Sequence, residues 1–233
     1  LCTAVVFWAI LKWEARANKP HADRWLIVIA YIIGLSIGVH LLNLLVIPAI
    51  VLIIYFKKTE RTTFWGISKA LFIGLGILAI ILWGIIQYLI KFAAKFDLFF
   101  VNTLGLGFGS GIFVFVIMIL SALIYGIYYS IRKGKVILNT AILATCFILL
   151  GYSSFTMVLL RANADPSLNN NDPENVFSFL GYLSREQYES EPLIKGQYFD
   201  ANPIGINERI DYRKDNHQYT PIKRAASYQF DRE

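Results

Sequence analysis

The stretch WLIVIAYIIGLSIGVHLLNLLVIPAIVLIIYF, from Trp25 to Phe56, runs 32 residues without Asp, Glu, Lys or Arg. As one straight helix it would reach about 48 Å at 1.5 Å per residue, against about 30 Å for a hydrocarbon core. Two full spans would want about 40 residues. Flanking charge resolves the conflict. Lys12, Arg16, Lys19 and Arg24 precede the run, against Glu14 and Asp23, and Lys57, Lys58 and Arg61 follow it, against Glu60. Two basic loops belong on one side, the cytoplasmic one. The run should therefore go out and come back as two short helices, about 25–39 and 41–56, turning near His40 at the outer face.

The rest of the chain fits a membrane setting. Of 233 residues 56% are hydrophobic and 16% charged, where an ordinary soluble domain carries about 25% charge. Mean hydropathy is +0.53. Residues 1–160 hold 13 Lys and Arg against 4 Asp and Glu, net +9, and residues 161–233 hold 9 against 12, net −3. A single soluble globule is excluded. The overall charge of +6 argues for no nucleic-acid partner, because the basic residues sit at the ends of apolar runs. Leu1 falls inside an apolar run without a preceding Met, so the chain reads as an internal piece of a longer protein. Cys2 and Cys146 lie in apolar segments, where a disulfide framework has no place.

Alternation assigns the remaining spans. Besides a helix over about 1–12, residues 64–92 should run outward to an outer loop, 93–109, holding Asn102 and the glycines after it. Residues 110–131 should return to the basic loop Arg132-Lys133-Gly134-Lys135, and 136–160 should deliver the tail outside. Lys91 and Lys95 fall on the outer side, where long side chains can snorkel. The expected fold is mainly α: a polytopic transmembrane helix bundle over residues 1–160, then an extracytoplasmic segment, 161–233, read as the start of a larger soluble domain. That segment should open with an amphipathic helix over 173–188. Asp172 is its expected cap, Pro173 its first residue, and Val176, Phe177, Leu180 and Leu183 its buried face. After Pro192 the pattern fits strands or irregular structure.

Signatures of soluble enzymes are weak. Gly105-Leu106-Gly107-Phe108-Gly109 lacks the Lys-Ser/Thr of a phosphate loop. The His and Cys residues show no metal-ligand spacing, and no Ser, His and Asp cluster stands out. Polar groups at membrane depth are costly and mark candidate sites. Ser36, His40 and Asn43, at i, i+4 and i+7, would share a face of a continuous helix; equally, His40 and Asn43 could serve backbone groups freed at a turn. Arg161, where the last span ends, can bind an anionic phosphate or anchor the helix at the interface. Asn102 with its glycines can approach a ligand closely or form a plain outer turn.

The segment Ile33-Gly34-Leu35-Ser36-Ile37-Gly38-Val39-His40-Leu41-Leu42-Asn43-Leu44-Leu45, followed by Ile47-Pro48-Ala49, resembles a bacterial family of large multi-pass membrane proteins known as a domain of unknown function. So does Arg161-Ala162-Asn163-Ala164-Asp165-Pro166, with Asn171 to Phe177 and Ser184 to Tyr188 after it. That family is similar to protein O-mannosyltransferases of the GT-C glycosyltransferase class. The resemblance implies a partial GT-C-like bundle in the bacterial inner membrane. It implies a polyprenyl-phosphate-linked sugar as donor and an acceptor hydroxyl, on an exported protein, at the outer face. His40, Asn43, Asn102 and Arg161 would then line a common pocket for the carrier phosphate. The catalytic carboxylate of that class lies in an outer loop upstream of residue 1, so no catalytic residue is assigned within this chain, and Glu14 and Asp23 fall on the inner side. No cofactor or resident metal is assigned, and whether a divalent metal assists stays open. A transporter-like protein or a non-catalytic membrane assembly protein are the alternatives. A transporter should show broken helices in both halves, and only the first half has one here, at Pro48.

Overall fold

The computed structural model describes residues 1–169, 172–184, 196, 198 and 200–231. The protein is mainly helical. Four of its helices are long and apolar enough to cross a membrane, and a two-stranded sheet follows them. By their contacts the residues form two compact units, Leu1–Tyr88 with Ile117–Met157, and Leu89–Val116 with Val158–Glu233.

In the first unit, α1 (Cys2–Glu14) leads through a compact basic turn to α2 (Arg24–Ile37). The run 25–56 breaks at Gly38-Val39-His40, continues as a short 3-10 helix (Leu41–Leu45) and becomes α3 (Val46–Lys58). Next comes a continuous helix of 39 residues, Phe64–Asn102. It comprises α4 (Phe64–Ala79), a π-helical stretch (Ile80–Tyr88) and α5 (Leu89–Asn102), which belongs to the second unit. The loop expected over 93–109 is therefore helical as far as Asn102. Ala93, Ala94, Asp97 and Val101 are buried at helical spacing, and that amphipathic face keeps the helix going where polarity alone suggested a loop. The helices α6 (Ser110–Arg132), α7 (Val136–Ser153) and α8 (Met157–Ala162) follow, with one 3-10 turn at Ser154–Thr156.

Glycine sets the packing of α2 on α7. A Cβ added at Gly34 would run into the carbonyl of Ile148, and one at Gly151 into the backbone of Tyr31 and Leu35. Small residues let two backbones approach this closely, which is how apolar helices gain contact without a hydrophobic driving force between them. Further along, Phe155 lies against Gly38, and Tyr31 meets Phe147 edge-on. Residue numbers rise together along both helices, so α2 and α7 are parallel. On the neighbouring pair, Pro48 packs against Gly74 and Tyr55 against Gly66, so α3 and α4 are antiparallel.

These directions place the charges. Lys57 reaches Glu14 at 3.8 Å, which puts the exits of α1 and α3 side by side. The parallel pair puts the start of α7 level with the start of α2. The basic segments at 15–24, 57–61 and 132–135 thus gather at one end of this unit. His40, Phe155 and the Thr3–Asn43 hydrogen bond lie at the opposite end.

In the second unit, α9 (Val176–Leu183) is shorter than the helix expected over 173–188, of which 185–188 lie outside the described residues. Its cap is Asn175, not Asp172. The Asn175 side chain accepts from the backbone N–H groups of Phe177 and Ser178, and the Ser178 hydroxyl accepts from that of Asn175. This reciprocal pair satisfies orphan donors at both positions, whereas Asp172 sits at φ 42, outside the helix. Val176, Phe177 and Phe179 are buried. An antiparallel hairpin follows, β1 (Pro203–Asp215) and β2 (Gln218–Phe230), closed at the Asp215–Gln218 pair.

Gly34→Leu should lower thermal stability by about 1–3 kcal/mol through overpacking, read as a shift in the melting of the purified protein, while Gly76→Leu, whose Cβ would meet nothing within 4 Å, should be neutral. With Cys2 and Cys146 replaced by Ser, single cysteines at Lys58 and Lys133 should share one response to a membrane-impermeant thiol reagent and a cysteine at Leu42 should show the other.

Candidate functional site

At the break, His40 leaves the helix in extended conformation (φ −161°, ψ 112°) and caps the 3-10 turn. Its Nδ1 accepts from the backbone N–H of Leu42 at 3.3 Å. An imidazole that accepts at Nδ1 carries its proton on Nε2, and the exposed ring has no further hydrogen bond with the described residues. Asn43, three residues on, accepts at Oδ1 from the hydroxyl of Thr3 at 2.7 Å. That bond ties the break to the start of α1 and leaves the Asn43 amide N–H groups without an acceptor among the described residues. Ser36 is buried and donates to the carbonyl of Ile33 at 2.8 Å, a bond internal to its own helix. The break therefore presents two outward donors, the His40 Nε2–H and the Asn43 amide, while Ser36 is fully used.

The other two candidates belong to the second unit. Both functional atoms of Asn102 are engaged. Its Nδ2 donates to the carbonyl of Tyr219 at 2.8 Å, and its Oδ1 accepts from the N–H of Tyr219 at 2.9 Å. Asn102 thus takes the place of a strand neighbour for one residue of β2. Arg161, in the last turn of α8, is exposed and makes no ion pair with the described residues. His40 and Asn43 form one local group; Asn102 and Arg161 are each placed separately, one clamping the hairpin and the other open.

A further residue escaped the sequence reading. Asp97 is fully buried. One carboxylate oxygen accepts from the N–H groups of Gly111 (3.0 Å) and Ile112 (3.4 Å), the other from Gly109 N–H (3.1 Å) and the Tyr219 hydroxyl (2.7 Å). It thereby caps the start of α6, where exposed N–H groups and the helix dipole favour an anion. Gly111 allows this approach, because a Cβ there would strike the backbone of Phe96 and Asp97. Tyr219 is buried between Phe108 and Phe177, with ring centroids 4.9 and 5.0 Å away. Burial, followed by the hydrogen bond to Asp97 and its negative charge, pushes the Tyr219 phenol well above its ordinary value. The available signal was a lone acid four residues from Ala93 and from Val101 on the apolar face of α5. All of these Asp97 bonds serve the fold. Among the described residues no three His, Cys, Asp or Glu side chains come together to hold a metal ion.

Residues 1–63 match the family described as Protein O-mannosyl-transferase TMEM260 N-terminal domain. The match covers α1, α2, the break and α3, and stops just short of α4. This part of the chain is similar to an O-mannosyltransferase-like glycosyltransferase family. No curated protein and no solved structure matches the chain.

The folded protein holds the Tyr219 proton more tightly than the unfolded chain. Its contribution to stability should be constant below about pH 10, the ordinary tyrosine value, and should decline as pH rises beyond it. Tyr219→Phe should cost about 1–3 kcal/mol through the donor lost to Asp97 and should flatten that alkaline decline. Hydrogen exchange at the hairpin and α6 N-terminal amides, followed against pH, reads both effects.

Proposed function

We propose that the chain is part of an integral membrane glycosyltransferase that moves a sugar from a polyprenyl-phosphate carrier to an acceptor hydroxyl, on an exported protein, at the outer face of the bacterial inner membrane. The observation that carries this reading is the coincidence of two features. The O-mannosyltransferase-like match spans residues 1–63, and the break inside it carries outward hydrogen-bond donors at the end away from the basic loops. By the positive-inside rule those loops face the cytoplasm, so His40 and Asn43 face outward, and residues 161–233 follow on that side.

In this reading His40 Nε2–H and the Asn43 amide donate to oxygens of the carrier phosphate. As the bond between the sugar's anomeric carbon and the phosphate oxygen breaks, negative charge builds on the departing phosphate. Donors already oriented toward it stabilise that charge without reorganising. The acceptor hydroxyl gives its proton to a general base. By the GT-C resemblance that base would come from an outer loop upstream of α1.

In the full-length protein, His40→Ala and Asn43→Ala should each lower sugar transfer by about ten- to a hundredfold, on the order of one or two charge-assisted hydrogen bonds, with membrane insertion and abundance unchanged. Transfer is to be measured with a radiolabelled polyprenyl-phosphate sugar and an acceptor peptide. Full activity in both variants would return His40 to a helix cap and Asn43 to a tie between the break and α1.

A further inference from the structure

The basic end of the first unit holds a cavity unrelated to the break. Between α1 and α2 the chain folds into successive tight turns: Lys19 N–H donates to Arg16 O at 2.8 Å, Ala22 N–H to Lys19 O at 3.3 Å, and Arg24 N–H to His21 O at 3.3 Å. His21 adopts φ 63, a backbone conformation that costs energy for a residue with a side chain. These turns bring Arg16, Lys19, His21 and Arg24 round a cavity of about 450 Å³, whose remaining wall includes Trp25 and Val28. No carboxylate lines it. Of the nearby acids, Glu14 is paired with Lys57, and Asp23, beside Arg24 in sequence, does not reach the lining.

Three permanent cations and a histidine thus share one cavity without a counter-charge in its wall. The apolar side continues beyond it. Trp25 meets Trp8 edge-on at 5.5 Å, and Trp8, Leu11 and Val28 are exposed along α1 and α2. A phosphate group beside an aliphatic chain matches both halves of this surface. Tryptophan favours the level of the lipid headgroups, and basic pockets between helices on the cytoplasmic side suit anionic headgroups.

We propose that this cavity binds the phosphate headgroup of an anionic phospholipid of the inner leaflet, with an acyl chain lying along Trp8, Trp25 and Val28. Arg16 and Lys19 hold the phosphate oxygens, and Arg24, oriented by its Nε–H bond to the His21 carbonyl at 3.3 Å, closes the third side. A free phosphate would use the same cations and leave the apolar wall uncovered.

The test uses the full-length protein in nanodiscs of phosphatidylcholine with or without phosphatidylglycerol, released for native mass spectrometry. The wild type should retain phosphatidylglycerol in preference to phosphatidylcholine. Arg16→Gln with Lys19→Gln should weaken that retention by roughly thirtyfold, from about a factor of five for each basic residue removed. Lys133→Gln with Lys135→Gln removes the same charge from another loop at the same end and should leave retention intact. Equal loss in both double variants would overturn the site in favour of diffuse attraction, as would equal retention of the two lipids by the wild type. Displacement of phosphatidylglycerol by inorganic phosphate alone would reassign the cavity to a free anion. Should the first pair fail to fold, the exposed single substitution Lys19→Gln must still lower retention several-fold, and no change there would equally defeat the proposal.

Discussion

Two backbones touching at Gly34 and Gly151 hold the first unit in its arrangement. Lipid tails are as apolar as leucine, so helices in a bilayer gain little by hiding apolar side chains from one another and depend on close contact instead. With no Cβ on either side, α2 and α7 meet main chain to main chain over the stretch Tyr31–Leu35 and Ile148–Gly151. This contact makes the helices parallel, and the parallel direction has two consequences. It sets the loop after α6 level with the turn before α2, which collects the basic residues at one end. It also brings Phe155 onto Gly38, at the point where the long apolar run gives way.

The break frees backbone groups that nearby side chains can serve. His40 caps the following turn with one ring nitrogen, and Asn43 is tied to Thr3 through its oxygen. Each is only half used, and the unused half of each is a donor. A purely structural cap explains only the used half. Asp97 is the opposite case. A buried carboxylate needs donors on both oxygens, and three amides and a phenol supply them. The most deeply buried acid is therefore fully engaged by the fold, and with Asn102 it fixes Tyr219, and so the hairpin, to α5.

The two ends of the first unit suit different chemistry. One concentrates permanent positive charge around an aromatic-walled cavity, fitted to anionic lipid. The other carries the His40 ring and the Asn43 amide beside the start of α1.

Apolar runs of membrane length, the basic loops between them and the need for a break within 25–56 could be read from the sequence alone. Each depends on sums over neighbouring residues set against a slab of fixed thickness, so the information is local. His40 as the turning point was legible for the same reason. Which residue caps α9 was not, because Asp172 and Asn175 both suit the role by type, and the choice went to the one whose partner Ser178 could answer it. Nor was the role of Asp97. Its partners lie 12 to 15 residues away at and just before the start of α6 and 122 residues away in β2, so the apolar face of α5 marks Asp97 for burial but not what it binds there. Asn102 was picked out as polar and near glycine, which is correct, but its engagement with the backbone of Tyr219 follows from where the hairpin lands. Local hydropathy and charge determined where this chain meets the membrane. Tertiary contact decided which polar groups are spent on the fold and which remain open to a ligand, because a hydrogen bond is used up by whichever partner the fold brings within 3 Å.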